Sequence, residues 1–216
     1  MDLAPPFSDG NLAGVRVSRE TLDRLVDYAE SVVAWSRSIS MVSSTDPSRL
    51  WQRHILDSAQ LWPLQNRHTQ TWVDLGSGAG LPGVVLAIIG HQLAPDIRFH
   101  LVESDQRKAA FLRFIESKQK LGLIIHAKRI EALAPLSAQT VTARALAPLP
   151  KLLGLVSRHL AVGGTALLPK GENVANELLQ AAEKWHFISE QHPSKLDSRA
   201  RILQISNIEK TGKPSA

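Results

Sequence analysis

The stretch Asp74-Leu75-Gly76-Ser77-Gly78-Ala79-Gly80 constrains this chain more than any other. Trp72-Val73 before it reads as a short buried strand, and Pro82 after it opens an apolar helix. Glycines at alternate positions between a strand and a helix let the backbone turn sharply and approach a ligand where a Cβ would clash. The helix N-terminus beyond the turn adds free N–H groups and the positive end of a dipole. A strand, a Gly-rich turn and a helix in that order form the start of a ligand-binding α/β unit.

The rest of the chain repeats that rhythm. Strands are expected at Ile97 to Val102, Leu123 to His126, Val141 to Ala143 and Thr165 to Leu168. Helices are expected at Asp105 to Leu121, after Pro148, and at Val174 to Lys184. Such alternation implies a mostly parallel sheet with helices on both faces. Trp185 to Glu190 and Arg201 to Ser206 read as two final strands with no helix between them, which makes the closing pair antiparallel. Ahead of the sheet, Ser18 caps a helix to about Ser38, with Leu22, Leu25, Val26, Ala29, Val32 and Val33 on one stripe. Asp46-Pro47 starts a second helix that Pro63 ends or bends. The expected organisation is an N-terminal helical layer over residues 1–70, a sheet-bearing core over 71–209, and a frayed tail over 210–216.

The glycines admit two cofactors. Gly78-Ala79-Gly80-Leu81-Pro82-Gly83 spells G-x-G-x-x-G, the dinucleotide pattern, which alone is weak evidence. The longer D-x-G-x-G-x-G form, with Asp74 two residues before Gly76, resembles motif I of the class I methyltransferases. That resemblance implies a Rossmann-like sheet binding S-adenosyl-L-methionine, with the Asp74 carboxylate helping to hold the methionine ammonium. A dinucleotide site must instead keep negative charge away from a pyrophosphate. Glu103, ending the next strand, can accept both ribose hydroxyls of either cofactor.

Composition excludes several chemistries. The 216-residue chain has no Cys, so disulfides, thiolate-bound zinc and a cysteine nucleophile are ruled out. The longest apolar run falls well short of the ~20 residues a membrane span needs. The first twenty residues lack the basic and apolar regions of a secretory signal, and a cytoplasmic protein is expected. Its histidines show no metal-ligand spacing. The formal charge is +5. Residues 1–71 hold seven Lys/Arg against eight Asp/Glu, and the remainder eighteen against twelve, so the basic surplus sits on the cofactor-binding part. Either a polyanion such as RNA or a merely solvated surface accounts for it.

The methyl acceptor is narrowed by absences. Pyrimidine C5 methylation usually needs a cysteine. Exocyclic amine methylation usually uses a Pro-Pro-aromatic motif after the fourth strand, whereas Pro5-Pro6-Phe7 lies near the N-terminus. After strand four this chain has Thr142-Ala143-Arg144-Ala145-Leu146-Ala147-Pro148. That site offers a guanidinium with no visible base, which suits an acceptor already carrying a free lone pair.

Arg53-His54-Ile55-Leu56-Asp57-Ser58, then DLGSGAGLPG from Asp74 to Gly83, then Glu103 with Arg107-Lys108-Ala109-Ala110-Phe111-Leu112 follow in order. Arg129-Ile130-Glu131, Arg144-Ala145 and Pro169-Lys170-Gly171 complete a set that resembles the bacterial glucose-inhibited-division (GidB) methyltransferases, from the first helix to the last strand. The resemblance implies methylation of guanine N7 in small-subunit (16S) ribosomal RNA. It implies that Gly76, Gly78, Gly80 and Leu81 shape the cofactor site, that Ile130 and Glu131 flank the adenine, and that Arg144 closes the site beside the methyl group. A monomer acting on ribosomal RNA or a small-subunit particle is expected. Gln139-Thr140 stands where the family often has an aromatic-Asp pair, and Ser40-Met41-Val42 where it has Asn-Leu-Thr.

Several side chains carry two readings. His54 and Asp57, three apart on one helical face, read either as a hydrogen-bonded pair tying the N-terminal layer to the sheet or as substrate contacts. Lys170 reads as a phosphate contact or as a solvated lysine, and Arg107, Lys108 and Arg113 as a phosphate-binding or solvated helix face. The other functions weighed are an NAD(P)-dependent oxidoreductase, a methyltransferase for a small molecule or protein, and a non-catalytic cofactor-sensing RNA-binding module.

Overall fold

The computed structural model describes residues 10–212. Residues 1–9, with Pro5-Pro6-Phe7, and residues 213–216 of the expected tail lie outside the described residues. A small antiparallel hairpin, Asn11–Leu12 with Val15–Arg16, precedes helix α1 (Arg19–Ser36). Ser18 caps α1 by accepting the Thr21 N–H, a bond worth about 1 kcal/mol at such positions. Helix α2 (47–59) starts as read from Asp46-Pro47, with the Asp46 carboxylate accepting the Arg49 N–H at 2.9 Å. It then widens into a π-helical turn over Trp51–Leu56 and returns to α over Asp57–Ala59. Periodicity over so few residues did not reveal the π turn.

The sheet has seven strands: β1 (Thr71–Leu75), β2 (Arg98–Val102), β3 (Ile124–His126), β4 (Ala138–Thr142), β5 (Leu160–Lys170), β6 (Trp185–Pro193) and β7 (Arg201–Lys210). Their spatial order is β3-β2-β1-β4-β5-β7-β6. β1 to β5 pair in parallel, and β7 runs antiparallel between β5 and β6. The expected α/β class, mostly parallel with an antiparallel closing strand, is the one observed. Strand five is longer than read, and β7 reaches Lys210, where the tail was expected to begin.

The sheet separates two cores, as a residue period of two requires. Trp72, Phe99, Leu101, Leu167 and Ile202 face one side; Val73, Leu75, Val102, Val141 and Leu168 face the other. The first side is covered by α3 (Gly83–Leu93) and α4 (Gln106–Gln119), with α1 and α2 outside them. α3 is apolar all round because it is sandwiched, and Val84 to Ile89 are all buried. Full burial of each large aliphatic chain there contributes about 1.5–3 kcal/mol. Trp62, Trp72 and Phe99 stack in succession, joining α2's end to β1 and β2. Met41, from the Ser40-Met41-Val42 segment, is buried in the same core. The opposite face is covered by α5 (Leu149–His159) and α6 (Val174–Ala182). Among the described residues no helix is long and apolar enough to cross a membrane.

Gln139 and Thr140, the departure at strand four, are engaged locally. Gln139 Oε1 accepts the N–H groups of Gln70 and Thr71, and the Thr140 hydroxyl lies 2.6 Å from that of Thr69. They fasten the segment leading into β1.

Candidate active site

Parallel strands point their C-terminal ends to one edge, and ligands of open α/β sheets bind there. The Gly-rich turn leaves β1 at that edge. Gly76 and Ser77 donate their N–H groups to the Val102 carbonyl, so the turn is held against the end of β2. The sole tyrosine, Tyr28 on α1, donates its hydroxyl to Ala79 O at 2.7 Å from a buried position that pushes its pKa up. The N-terminal helices therefore support the turn from behind.

A cleft of about 320 Å³ opens above the turn. Gly76, Gly78, Glu103, Ile130, Glu131 and Arg144 all line it, so six of the predicted site residues come together. Glu103 is only 8% exposed. Its Oε2 accepts the Gly78 N–H at 2.8 Å and its Oε1 the Asp105 N–H at 2.7 Å. An ionised carboxylate has about four lone-pair sites, so both oxygens keep capacity for hydroxyl donors. Gly76 has φ +70°, and a Cβ there would come within 2.7 Å of the Leu146 side chain. The backbone cradle is thus as close-fitting as the motif requires.

Three predicted residues lie beneath the cleft. Asp74 is 1% exposed, with Oδ1 accepting the Thr142 hydroxyl at 2.8 Å and Oδ2 the Gly83 N–H at 3.2 Å. Burial raises its pKa despite those bonds. The carboxylate ties β1 to β4 and to the start of α3. Gly80 and Leu81 are also buried, and Gly80 packs against Val84 and Leu112.

Arg144 stands where this cleft meets a larger one of about 820 Å³; residues 144–147 line both. Its Nη1 donates to Arg53 O at 3.1 Å and to Asp57 Oδ2 at 3.2 Å, and its Nη2 lies 3.4 Å from His54 Nδ1. The π-helical turn of α2 supplies both Arg53 and His54, and such turns are frequent at functional sites. The expected His54–Asp57 pair is therefore bridged by Arg144. Burial, reinforced by the neighbouring Arg144 charge, lowers the His54 pKa to about 4. Burial pushes the Asp57 carboxyl up, with Arg144 opposing.

Lys170 lines the larger cleft, but its ammonium is neither solvated nor free. It donates to Glu177 Oε2 at 2.7 Å and to Ala147 O at 3.0 Å. Arg107 is exposed beside Asp105, whereas Lys108 lines the smaller cleft with Lys128, Arg129 and Lys151. Sequence reasoning missed Leu146, Lys151 and Glu177. Leu146 had a usable signal, because it follows Arg144 in the segment already singled out. Glu177 had none, since its partners lie in other elements.

The strand order, with one antiparallel strand inserted next to the last, and a cleft above a D-x-G-x-G-x-G turn define a class I methyltransferase fold. In agreement, a methyltransferase from Geobacter sulfurreducens superposes with a TM-score of 0.55 at 13% identity, covering 85% of this chain and 87% of that one. The family profile described as rRNA small subunit methyltransferase G (GidB) matches residues 21–203. The ribosomal RNA small subunit methyltransferase G of Cereibacter sphaeroides (strain ATCC 17025 / ATH 2.4.3) is 48% identical, over 88% of this chain and 92% of that protein. Its namesake from Paramagnetospirillum magneticum is 47% identical, over 89% and 91%. The chain belongs to the rRNA small subunit methyltransferase G family. The dinucleotide reading of the glycines is set aside accordingly.

Proposed function

We propose that this protein transfers a methyl group from S-adenosyl-L-methionine to N7 of a guanine in 16S ribosomal RNA, acting as a cytoplasmic monomer on the RNA or the small-subunit particle. The observation that carries the reading is the position of Arg144 in the wall shared by two clefts, one with a nucleoside-binding character and one large enough for a base. Glu103 would accept the ribose hydroxyls, Gly76 and Gly78 would let the backbone approach the methionine part, and Ile130 and Glu131 would flank the adenine. When bound, S-adenosylmethionine supplies an electrophilic methyl group on a sulfonium.

The chain's own groups suit an acceptor that needs no proton removed. A His54 whose pKa is held near 4 is a poor base, and Asp57 is engaged by Arg144 and Gln60. Guanine N7 carries a lone pair already. Three of the five guanidinium N–H groups of Arg144 face Arg53, Asp57 and His54 among the described residues, which leaves two for the guanine O6. The work left to the residues is alignment and exclusion of water.

The test is methyl transfer to 16S rRNA or small-subunit particles lacking the modification, with nucleoside mass spectrometry of the product. 7-Methylguanosine is expected. Methylation of another atom would overturn the acceptor assignment, and binding of both ligands without turnover would favour the cofactor-sensing module.

A further inference from the structure

Lys170 and Glu177 form an ion pair 2.7 Å long with side chains only 9% and 17% exposed. The same Glu177 Oε2 accepts the Leu149 N–H at 2.6 Å, and Lys170 Nζ also donates to the Ala147 carbonyl at 3.0 Å. The pair therefore grips the chain on both sides of Pro148, a residue with no N–H of its own to offer. Among the described residues no backbone–backbone hydrogen bond holds residues 144–147. Their other anchor is the Arg144 guanidinium on α2. Between the anchors, Ala145 sits at φ 52°, a region sparsely populated by residues with a Cβ, and Leu146 covers Gly76. This strap is the wall between the two clefts.

The geometry points to Lys170 and Glu177 as positioning residues that set the height of the Arg144–Ala147 strap, and through it the alignment of methyl donor and acceptor. The inference rests on the methyltransferase reading given above. Lys170 is poorly placed for a phosphate: it is nearly buried, its charge is matched by Glu177, and two of its three donors are used. A strap released at one end need shift only about 1 Å to cost about a hundredfold in rate.

The experiment compares Lys170→Met, Glu177→Ala and Glu177→Gln in the full chain. Lys170→Met and Glu177→Ala should lower the single-turnover rate constant about a hundredfold at saturating RNA and cofactor. Affinities for RNA and S-adenosylhomocysteine should stay within about threefold, and amide exchange in residues 144–149 should speed up at least about tenfold. Glu177→Gln, whose amide oxygen still accepts from Leu149 and Lys170, should recover most of the rate. A wild-type rate in Lys170→Met with weaker RNA binding would make Lys170 a phosphate contact and overturn the inference. So would a rate loss without faster exchange in the strap, or one that follows global melting and vanishes at lower temperature. Should Lys170→Met fail to fold, Glu177→Ala against Glu177→Gln carries the same comparison. If wild-type protein methylates no RNA, the functional reading fails, while the exchange measurement still decides the clamp.

Discussion

The guanidinium of Arg144 lies 3.2 Å from the carboxylate of Asp57, joining the segment after the fourth strand to the π-turned second helix. Both side chains are largely buried, at 18% and 23% exposed. The pair fixes the orientation of a group that sits in the wall of two clefts, so a change at Asp57 should be felt in the smaller cleft, which Asp57 does not itself line.

Asp57→Asn tests that dependence. The substitution keeps an oxygen for Arg144 but removes the charge that burial disfavours at this position. Folding stability should therefore change by less than about 1 kcal/mol, while turnover falls about tenfold or more through looser alignment. Arg144→Lys should lose more, because a point charge cannot replace the planar fork. Melting curves and single-turnover rates read the two effects separately. Wild-type turnover in Asp57→Asn would remove the coupling.

Glu103→Ala should weaken S-adenosylhomocysteine binding by about 1.5–3 kcal/mol, the range for charge-assisted hydrogen bonds. It also strips the Gly78 and Asp105 N–H groups of their acceptor. Glu103→Gln, which keeps one carbonyl oxygen, should lose less. Calorimetry that finds all three proteins alike would dismiss the ribose assignment.

The rim of the smaller cleft carries Lys108, Lys128, Arg129 and Lys151, and no ion pair engages any of them among the described residues. If RNA phosphates cross this rim, log K for RNA should fall linearly with log salt, and Lys151→Ala should reduce the slope by about one. Cofactor affinity should barely respond. A filter-binding series at several salt concentrations checks this, and a flat RNA response would point to a substrate other than a polyanion.

The alternation of strands and helices, the antiparallel closing pair and the glycine turn were legible because they rest on local signals, whereas the spatial order of the strands was not read from the sequence. Apolar runs, alternating glycines and an acid at each strand end specify β1, the turn and Glu103 from neighbours in sequence alone. The contacts that Asp74 and Lys170 make within the protein were not legible, because each depends on a partner brought in by the fold. Asp74 meets Thr142, opposite it in the sheet register, and Gly83. Lys170 meets Glu177 across a loop and Ala147 from another element. A motif shows that a carboxylate or an ammonium is wanted; it does not show which of its neighbours will bond it first. The π turn in α2 was hidden for a related reason, since one extra residue per turn leaves no mark in an apolar pattern this short.

The last prediction concerns pH, where folding and chemistry should part company. His54 and His100 are both held near pKa 4, chiefly by burial, with positive or histidine neighbours adding to it. His100 Nδ1 lies 3.0 Å from His126 Nε2, a pair compatible with one shared proton and not with two charged rings. A histidine whose pKa falls on folding stabilises the native state fully above its unfolded value near 6.5. That contribution is lost as pH drops from about 6.5 towards 4, because the unfolded chain takes up the proton first. Both rings are partly reached by solvent, so the loss by pH 5 is on the order of 1 kcal/mol each. His54→Gln should flatten the fall of melting temperature over that interval. The single-turnover rate should instead be level from about pH 6.5 to 8.5, since no base is needed at N7 and His54 is already neutral throughout that range. A bell-shaped rate profile that His54→Gln abolishes would mean that a proton is removed in the transition state. The acceptor would then have to be an N–H or O–H group rather than a purine lone pair.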